Sequence, residues 1–278
     1  FYREECESLD WSDEVVATKL TNVADVIRSV DNGKGPDNLF MAEVENLSII
    51  QRLVKEKLSD LGYQTIVLIE GPDTRGIDPA FISKIPQKGQ AKLHLIPYKD
   101  DNPNELKYAL KSRGILEVTV TLPNKKDLTF LIGHFPSQSN PTAWRAQAVA
   151  FAKNLMAEYQ KKNRFVVLGG DLNISSEEEE KNHFFQKELS EVGQVSHLIG
   201  CKQCLGSHNY RGGWSFLDVL VFSNNLNQSG YALIPESITV VKSKNHTKKN
   251  GTPKRFDSEK KEGVSDHFPL YARLKVLK

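Results

Sequence analysis

Cysteine and long apolar runs are scarce in this chain of 278 residues. The three cysteines, Cys6, Cys201 and Cys204, are an odd set, which excludes a disulfide framework that pairs every cysteine within one chain. No apolar run approaches the ~20 residues that a membrane-spanning helix needs, so no membrane span is predicted. The first residues are charged from Arg3 onwards and do not resemble a signal peptide. The compartment stays open: cytoplasmic, or exported if a leader lies upstream of residue 1.

A large excess of one charge sign is also lacking. The formal net charge of +2 is too small to indicate a nucleic-acid-binding protein by itself. The charge is unevenly distributed, because residues 242–261 carry eight Lys and Arg against two Asp and Glu, a local charge of +6 that leaves −4 for the rest. Residues 242–255 lack apolar periodicity and predict a mobile surface loop. This loop, with Arg255, could contact a polyanionic substrate or could simply be solvated, and charge alone favours neither hypothesis.

The pattern of apolar residues predicts one layered α/β domain over residues 1–278, which we expect to be a monomer. No fixed-period repeat and no linker divides the chain. Helices are expected near residues 12–32, 47–61, 141–159 and 177–190, the last with its acidic run 177–180 in solvent. Strands are expected at 39–42, 64–69, 80–84, 91–97, 114–122, 128–133, 165–168, 216–222, 237–241 and 270–277. Two mixed β-sheets packed face to face, with helices outside, fit this order best.

Three acids, Glu43, Asp171 and Asp266, lie where apolar strands end or are interrupted. An unpaired carboxylate in such a place is costly if it is buried, and a divalent cation would offset that cost. Carboxylate and water oxygens are the ligands that Mg²⁺ prefers, whereas Zn²⁺ favours clustered His and Cys. The three acids together therefore predict a site for Mg²⁺ or Mn²⁺, although any one of them alone is more often an ordinary strand-end residue.

Asn173 lies two residues beyond Asp171 and would project to the same side if the backbone stays extended through Leu172. The acid could then orient or deprotonate a water while the amide donates to a phosphoryl oxygen. The same Gly-Asp-Leu-Asn stretch is also compatible with a plain turn.

Asp218 lies inside the apolar run 216–222, where a lone carboxylate needs a partner. We assign His267 as that partner, because a carboxylate that accepts from one ring nitrogen fixes the tautomer and stabilises the imidazolium. His134, at the end of another strand, would face the phosphate, although a lone histidine there is more often structural.

Six separated motifs agree in order and spacing: Glu43-Val-Glu-Asn46, Arg75-Gly-Ile-Asp78, Gly133-His-Phe-Pro-Ser137, Gly170-Asp-Leu-Asn173, Trp214-Ser-Phe-Leu-Asp218 and Ser265-Asp-His267. Together they resemble the endonuclease/exonuclease/phosphatase superfamily, which has the deoxyribonuclease-I-like fold. The resemblance covers nearly the whole chain and is most similar to bacterial members. It implies a four-layer α/β/β/α sandwich of two packed mixed sheets with flanking helices, and metal-dependent hydrolysis of phosphate esters.

The resemblance also implies a role for each matched residue. Glu43 and Asp266 would bind metal, Asp171 would align the attacking water, and Asn173 and His134 would hold the phosphate. His267, oriented by Asp218, would stabilise the pentacovalent state. Arg75 and Asp78 would lie near the substrate. Family members normally begin with a strand that ends in a metal-side Asn, and this chain begins just after that position, so the strand is expected upstream of Phe1 or is missing.

Cys201 and Cys204 lie between His197 and His208 in a His-x3-Cys-x2-Cys-x3-His pattern. A structural Zn²⁺ or a local disulfide could fix this loop, but the spacing is not that of a standard zinc finger. Two free thiols are the expectation.

The favoured function is a Mg²⁺-dependent phosphodiesterase that acts as a nuclease on DNA or RNA. A second hypothesis keeps the chemistry and changes the substrate to a lipid headgroup, a phosphoinositide or a nucleotide. A third is a catalytically silent relative that binds phosphates or a protein partner, which the presence of the full set of candidate residues argues against.

Overall fold

The computed structural model describes residues 11–277, so Cys6 lies outside the described residues. The helices are α1 (Asp13–Arg28), α2 (Leu47–Lys57), α3 (Pro103–Ala109), α4 (Thr142–Lys161), α5 (Ser176–Asn182) and α6 (Ser196–Ile199). The strands are β1 (Asn38–Val44), β2 (Thr65–Leu68), β3 (Asp78–Ser83), β4 (Lys92–His94), β5 (Ile115–Thr121), β6 (Asp127–His134), β7 (Phe165–Asp171), β8 (Gly193–Val195), β9 (His208–Tyr210), β10 (Gly213–Ser215), β11 (Asp218–Ser223), β12 (Tyr231–Val240) and β13 (Leu270–Val276).

A six-stranded mixed sheet in the order β4-β5-β6-β7-β11-β8 forms the centre of the molecule. Its strands pair antiparallel except β6 and β7, which are parallel because α4 carries the chain back between them. α4 packs on one face of this sheet through Trp144, Ala148 and Met156, which are almost fully buried. This helix is therefore the outer layer on that side.

Two antiparallel sheets, β1-β3-β2 and β12-β13, form the second β layer. Phe40 and Phe81 from the three-stranded sheet meet Phe130 of β6, with ring centroids 5.1 to 5.9 Å apart. Leu233 of β12 belongs to the same buried cluster. The aromatic contacts join the two β layers across one apolar core.

Helices α1 and α2 cover the outer face of the three-stranded sheet. Leu20 and Ile27 of α1 and Leu53 of α2 are buried with Ala80 and Ile82 of β3. The resulting order of layers, helix, six-stranded sheet, second β layer and helices, confirms the α/β/β/α sandwich that the sequence predicted. No helix within residues 11–277 is long and apolar enough to cross a bilayer.

The acidic segment after β7 differs from its prediction. Helix α5 ends at Asn182 rather than near Ser190, because His183 adopts a left-handed conformation and a π-helical turn, Phe184–Glu188, follows. The prediction that the acidic run is solvated is wrong for Glu178, whose side chain is buried against Arg145. A buried carboxylate is tolerated here because it is paired.

The cysteine prediction is also wrong. Cys201 and Cys204 form a disulfide, so they are neither free thiols nor zinc ligands. The two flanking histidines contact other side chains. His197 stacks on Phe216 with ring centroids 4.7 Å apart, and the His208 ring lies against the His267 ring.

The basic segment 242–255, predicted to be a mobile surface loop, contains a 3-10 turn, Lys244–His246, and contacts its surroundings. His246 is buried and its Nε2 lies 2.9 Å from the carbonyl oxygen of Ser265. Bridges link Thr247 to Pro253 and Arg255 to Val264. The loop is therefore tied to the segment that carries Asp266 and His267.

Candidate active site

The central sheet brings three candidate residues side by side. In the parallel pairing of β6 with β7, His134 is opposite Asp171, and in the antiparallel pairing of β7 with β11, Asp171 is opposite Asp218. Gly170 makes this approach possible: its φ is +129°, and a Cβ there would collide with the carbonyl oxygen of Gly133. The glycine before the acid is therefore required by the backbone.

His267 joins this row through Asp218. Its Nδ1 lies 2.7 Å from Asp218 Oδ2, which is the partnership expected from the sequence. Burial lowers the pKa of His267, but the carboxylates of Asp218, Asp171 and Asp266 together outweigh burial and raise this pKa to about 10. His267 is therefore a cation at neutral pH, with Nδ1–H donated to Asp218.

Asp171 has the opposite environment, because its carboxyl group is buried. Burial raises the pKa of Asp171, the His267 cation lowers it, and Asp218 raises it again, and the net result is a pKa of about 7. Asn173 does not continue the strand as expected: its φ is +52°, its backbone N donates to Asp171 Oδ1 at 2.8 Å, and its Nδ2 donates to the Phe135 carbonyl at 3.0 Å. A carboxyl group with a pKa near 7 can serve as a general base at neutral pH.

His134 is buried, and its Nε2 lies 3.7 Å from Asp171 Oδ2 and 4.0 Å from Glu43 Oε1. Burial, followed by the positive charges of Arg113 and Arg75, lowers the pKa of His134 well below its ordinary value. The ring is therefore neutral. Its Nδ1 is buried without a hydrogen-bond partner among residues 11–277.

Glu43 and Asp266 are exposed on the same side of the molecule. Glu43 occupies an irregularity in the β1–β3 pairing with φ at +56°, and 65% of its side chain is accessible to solvent. Burial lowers the pKa of Lys19 on α1, whereas Glu43 and Asp266 both act to raise it, so this ammonium lies near both carboxylates. A non-glycine residue with positive φ is uncommon and is often found at functional sites.

No group of three or more His, Cys, Asp and Glu side chains within residues 11–277 converges as a metal-binding cluster. Glu43 and Asp266 nevertheless have the donor type that Mg²⁺ requires. This cation keeps several waters and is commonly bound by one or two carboxylates together with substrate phosphates, so two exposed acids fit it.

The three residues expected to bind substrate lie in three different settings. Arg75 donates to Asp73 at 3.1 Å and lies near Glu43. Asp78 is buried and accepts from the Gly71 backbone N at 2.9 Å, so it braces the loop that carries Arg75. Arg255 is exposed in the basic loop and acts electrostatically on Lys19.

Arg113 and Lys19 were missed by sequence reasoning. Arg113 precedes β5, is almost fully buried, and donates from Nε to the His134 carbonyl at 3.3 Å and from Nη1 to Asp73 Oδ2 at 3.2 Å. Its place before Gly114 at the start of a strand was the only available signal. Lys19 lies in the middle of an amphipathic helix, where nothing in the sequence distinguishes it from a solvated lysine.

A buried pair, Arg145 with Glu178, holds the two loops that carry site residues. Arg145 Nε and Nη2 contact the Glu178 carboxylate at 2.8 to 3.0 Å, and Nη1 donates to the Ser137 carbonyl at 2.6 Å. Gln138 donates to both Glu178 and the Asn173 carbonyl. The pair therefore links the segment after His134 to the segment after Asp171.

With this geometry in view, comparison with known proteins identifies the class. Residues 5–276 match the model of the Endonuclease/Exonuclease/phosphatase family, and the chain belongs to this family. Its members are hydrolases of the phosphodiesterase and nuclease type, so membership supports a phosphoester hydrolase. A comparison with curated protein sequences gave no match.

Several solved structures share the fold. Humanized TDP2 from D. rerio is 12% identical with a TM-score of 0.64, and 96% of each chain is covered. Beta toxin from Staphylococcus aureus is 19% identical with a TM-score of 0.59, covering 91% of this chain and 92% of that chain. The endonuclease/exonuclease/phosphatase from Beutenbergia cavernae is 15% identical with a TM-score of 0.62, covering 93% of this chain and 66% of that chain.

Proposed function

We propose that this protein is a metal-dependent phosphodiesterase that cleaves nucleic acid. The observation that carries the proposal is the row of His134, Asp171 and the Asp218–His267 pair on adjacent strands, which combines a neutral imidazole, a base and a fixed cation. Attack on a phosphodiester requires a deprotonated water and stabilisation of the negative charge that develops on the phosphoryl oxygens.

Each side chain has one role in this proposal. Asp171 takes a proton from water, the resulting hydroxide attacks phosphorus, and the bond to one ester oxygen breaks; the leaving oxygen takes a proton from solvent. His267 donates its remaining N–H to a phosphoryl oxygen while Asp218 fixes its orientation. His134 and the second N–H of Asn173 position the phosphate.

Glu43 and Asp266 would hold Mg²⁺ or Mn²⁺. A cation bound there would neutralise charge on the phosphoryl oxygens. Support comes from the carboxylate donor type and from a solved structure with the same fold, S. aureus beta toxin with bound magnesium ions, which is 18% identical with a TM-score of 0.58.

A nucleic-acid substrate is supported by the basic loop and by a neighbour in structure. Residues 242–255 end beside the Asp266 segment, where their charge would attract a phosphate backbone. TDP2 from D. rerio, 13% identical to this chain with a TM-score of 0.62, has a structure in complex with a single-strand DNA product.

A lipid headgroup is the second candidate, and one observation favours it. Leu205 and Tyr210 are each 65% exposed, and they belong to the segment that places His208 against His267. Exposed apolar side chains beside a site can contact a lipid surface.

A substrate panel tests these assignments: single-strand DNA, duplex DNA, RNA, phosphoinositides, sphingomyelin and bis(p-nitrophenyl) phosphate, each with Mg²⁺, Mn²⁺ or EDTA. We expect cleavage of nucleic acid with either metal and none in EDTA. Asp171→Asn should abolish it, whereas Asp127→Asn, at the opposite end of β6, is the matched control and should retain it. Cleavage of the lipid substrates alone would replace the nuclease function with the lipid one. Full activity of Asp171→Asn would refute the role of Asp171 as general base.

A further inference from the structure

A small cavity lies beside the row of candidate catalytic residues. Its volume is about 50 Å³, and its lining includes Arg75, Tyr108, Lys111, Arg113 and Trp144 together with Asp73. One water needs only ~10–15 Å³ on this measure, so the cavity accepts a group of several heavy atoms. We call it the Arg113 pocket.

The Arg113 side chain points to an anionic ligand. It is only 4% exposed, and its hydrogen bonds within residues 11–277 are those to His134 and Asp73. A guanidinium carries five N–H groups, so it retains donors that have no acceptor in the described part of the chain. Within residues 11–277, no Arg113 atom is among the fully buried polar atoms that lack a partner, so these donors are open to a ligand that enters the pocket.

The lining of the pocket is also rich in cationic side chains. Arg75, Lys111 and Arg113 line it together with one acid, Asp73, and Glu43 lies near both arginines. Burial lowers the pKa of Arg113, and Arg75 lowers it further against the effect of Asp73. The three cations of the lining would attract a second anion next to the reacting phosphate.

The rim of the pocket adds an aromatic surface. Tyr108 on α3 is 60% exposed, and its ring centroid is 6.1 Å from that of the buried Trp144. An exposed ring beside a phosphate-sized cationic cavity fits a nucleotide, whose base can stack while its phosphate enters the pocket.

We propose that the Arg113 pocket binds a second, non-scissile phosphate of a nucleotide chain, with the attached base stacked on the Tyr108 ring. This inference rests on the proposed nuclease function. The position of the pocket supports this, because the Arg113 guanidinium holds the backbone of His134 itself. A phosphate in the pocket would therefore fix the neighbouring scissile phosphate against the catalytic row.

Titration calorimetry in EDTA tests this without requiring cleavage, so it is independent of the substrate panel. The probes are thymidine 3′,5′-bisphosphate and thymidine 5′-monophosphate, and the readout is the ratio of their affinities. We expect the bisphosphate to bind about tenfold more tightly to the wild type. Lys111→Ala should reduce this ratio by about two- to fivefold and Arg113→Lys should remove it, because a lysine cannot reproduce the fork of donors.

Lys107→Ala is the matched control, since it removes an exposed lysine from α3, which also carries Tyr108, and Lys107 does not line the pocket. It should keep the wild-type ratio. Equal affinities in the wild type would overturn the proposal, as would a ratio unchanged in both pocket variants. If Arg113→Lys does not fold, Lys111→Ala decides the matter. Inositol bisphosphate and inositol monophosphate are titrated in the same way. If tighter binding of the bisphosphate is found only for this inositol pair, the assignment of the ligand as a nucleotide is overturned.

Discussion

The substitution Glu178→Gln tests whether the buried Arg145–Glu178 pair holds the site together. The Glu178 carboxylate accepts from Nε and Nη2 of Arg145 and from Gln138. Glutamine has nearly the same shape but presents an amide N–H₂ to the guanidinium and leaves the Arg145 charge uncompensated. Breaking a buried pair by removing one charged partner costs about 3–5 kcal/mol, so we expect the free energy of unfolding to fall by about 3 kcal/mol or more.

Activity should fall as well, at temperatures where the variant is still folded. Gln138 contacts both Glu178 and the Asn173 carbonyl, and Arg145 binds the Ser137 carbonyl, so the substitution loosens both loops. Misplacement of about 1 Å can cost a factor of about 10² in rate. We therefore expect kcat on bis(p-nitrophenyl) phosphate to decrease by about 10- to 100-fold.

Urea denaturation and steady-state kinetics on the same preparations are the assays. Glu188→Gln is the matched control, since Glu188 makes an exposed ion pair with Lys153 at 2.9 Å and its side chain is 45% accessible. Such surface pairs contribute about 0–1 kcal/mol. A loss of stability no larger in Glu178→Gln than in Glu188→Gln would refute the assigned strength of the buried pair. A large loss of stability with unchanged kcat would refute its role in orienting the loops.

Three further outcomes are expected. In the active protein, kcat should rise with pH through about 7 as Asp171 loses its proton and fall near pH 10 as His267 loses its proton. A flat pH profile of kcat between about pH 6 and 8 would contradict the role of Asp171 as general base. His267→Ala should lower kcat by about 10²–10³. Burial raises the pKa of Glu117, but hydrogen bonds from His94, Tyr159 and Arg164 outweigh it and hold this pKa at about 2. Because the pKa is depressed, the ionised Glu117 stabilises the folded protein above about pH 4.5, and this contribution is lost as the pH falls towards 2. Glu117→Gln should therefore flatten the pH dependence of urea unfolding in that range. The Cys201–Cys204 loop is short, so replacing both cysteines with serine should cost only about 2 kcal/mol, and mass spectrometry after alkylation without reductant should find both thiols protected.

The layered fold could be predicted because its signals are local. Ser12 caps α1 by accepting from the Val15 N, and apolar residues recur at helical or strand spacing on either side of glycine and proline. The Asp218–His267 hydrogen bond could also be expected, since a carboxylate within an apolar strand requires a nearby partner. The short strands β8, β9 and β10 could not be predicted, because each has three residues and depends on its neighbours for pairing.

Sequence by itself determined which chemical groups are available and that they follow apolar strands, since hydrophobic periodicity and the cost of burying a lone charge act on neighbouring residues. The tertiary structure alone decided which distant groups meet. Arg145 and Glu178 are 33 residues apart, and Arg113 reaches Asp73 across 40. It also set the left-handed backbone at Glu43 and Asn173 and the protonation of Asp171 and His267. Burial, pairing and backbone strain arise from the packed environment, which no single stretch of sequence contains.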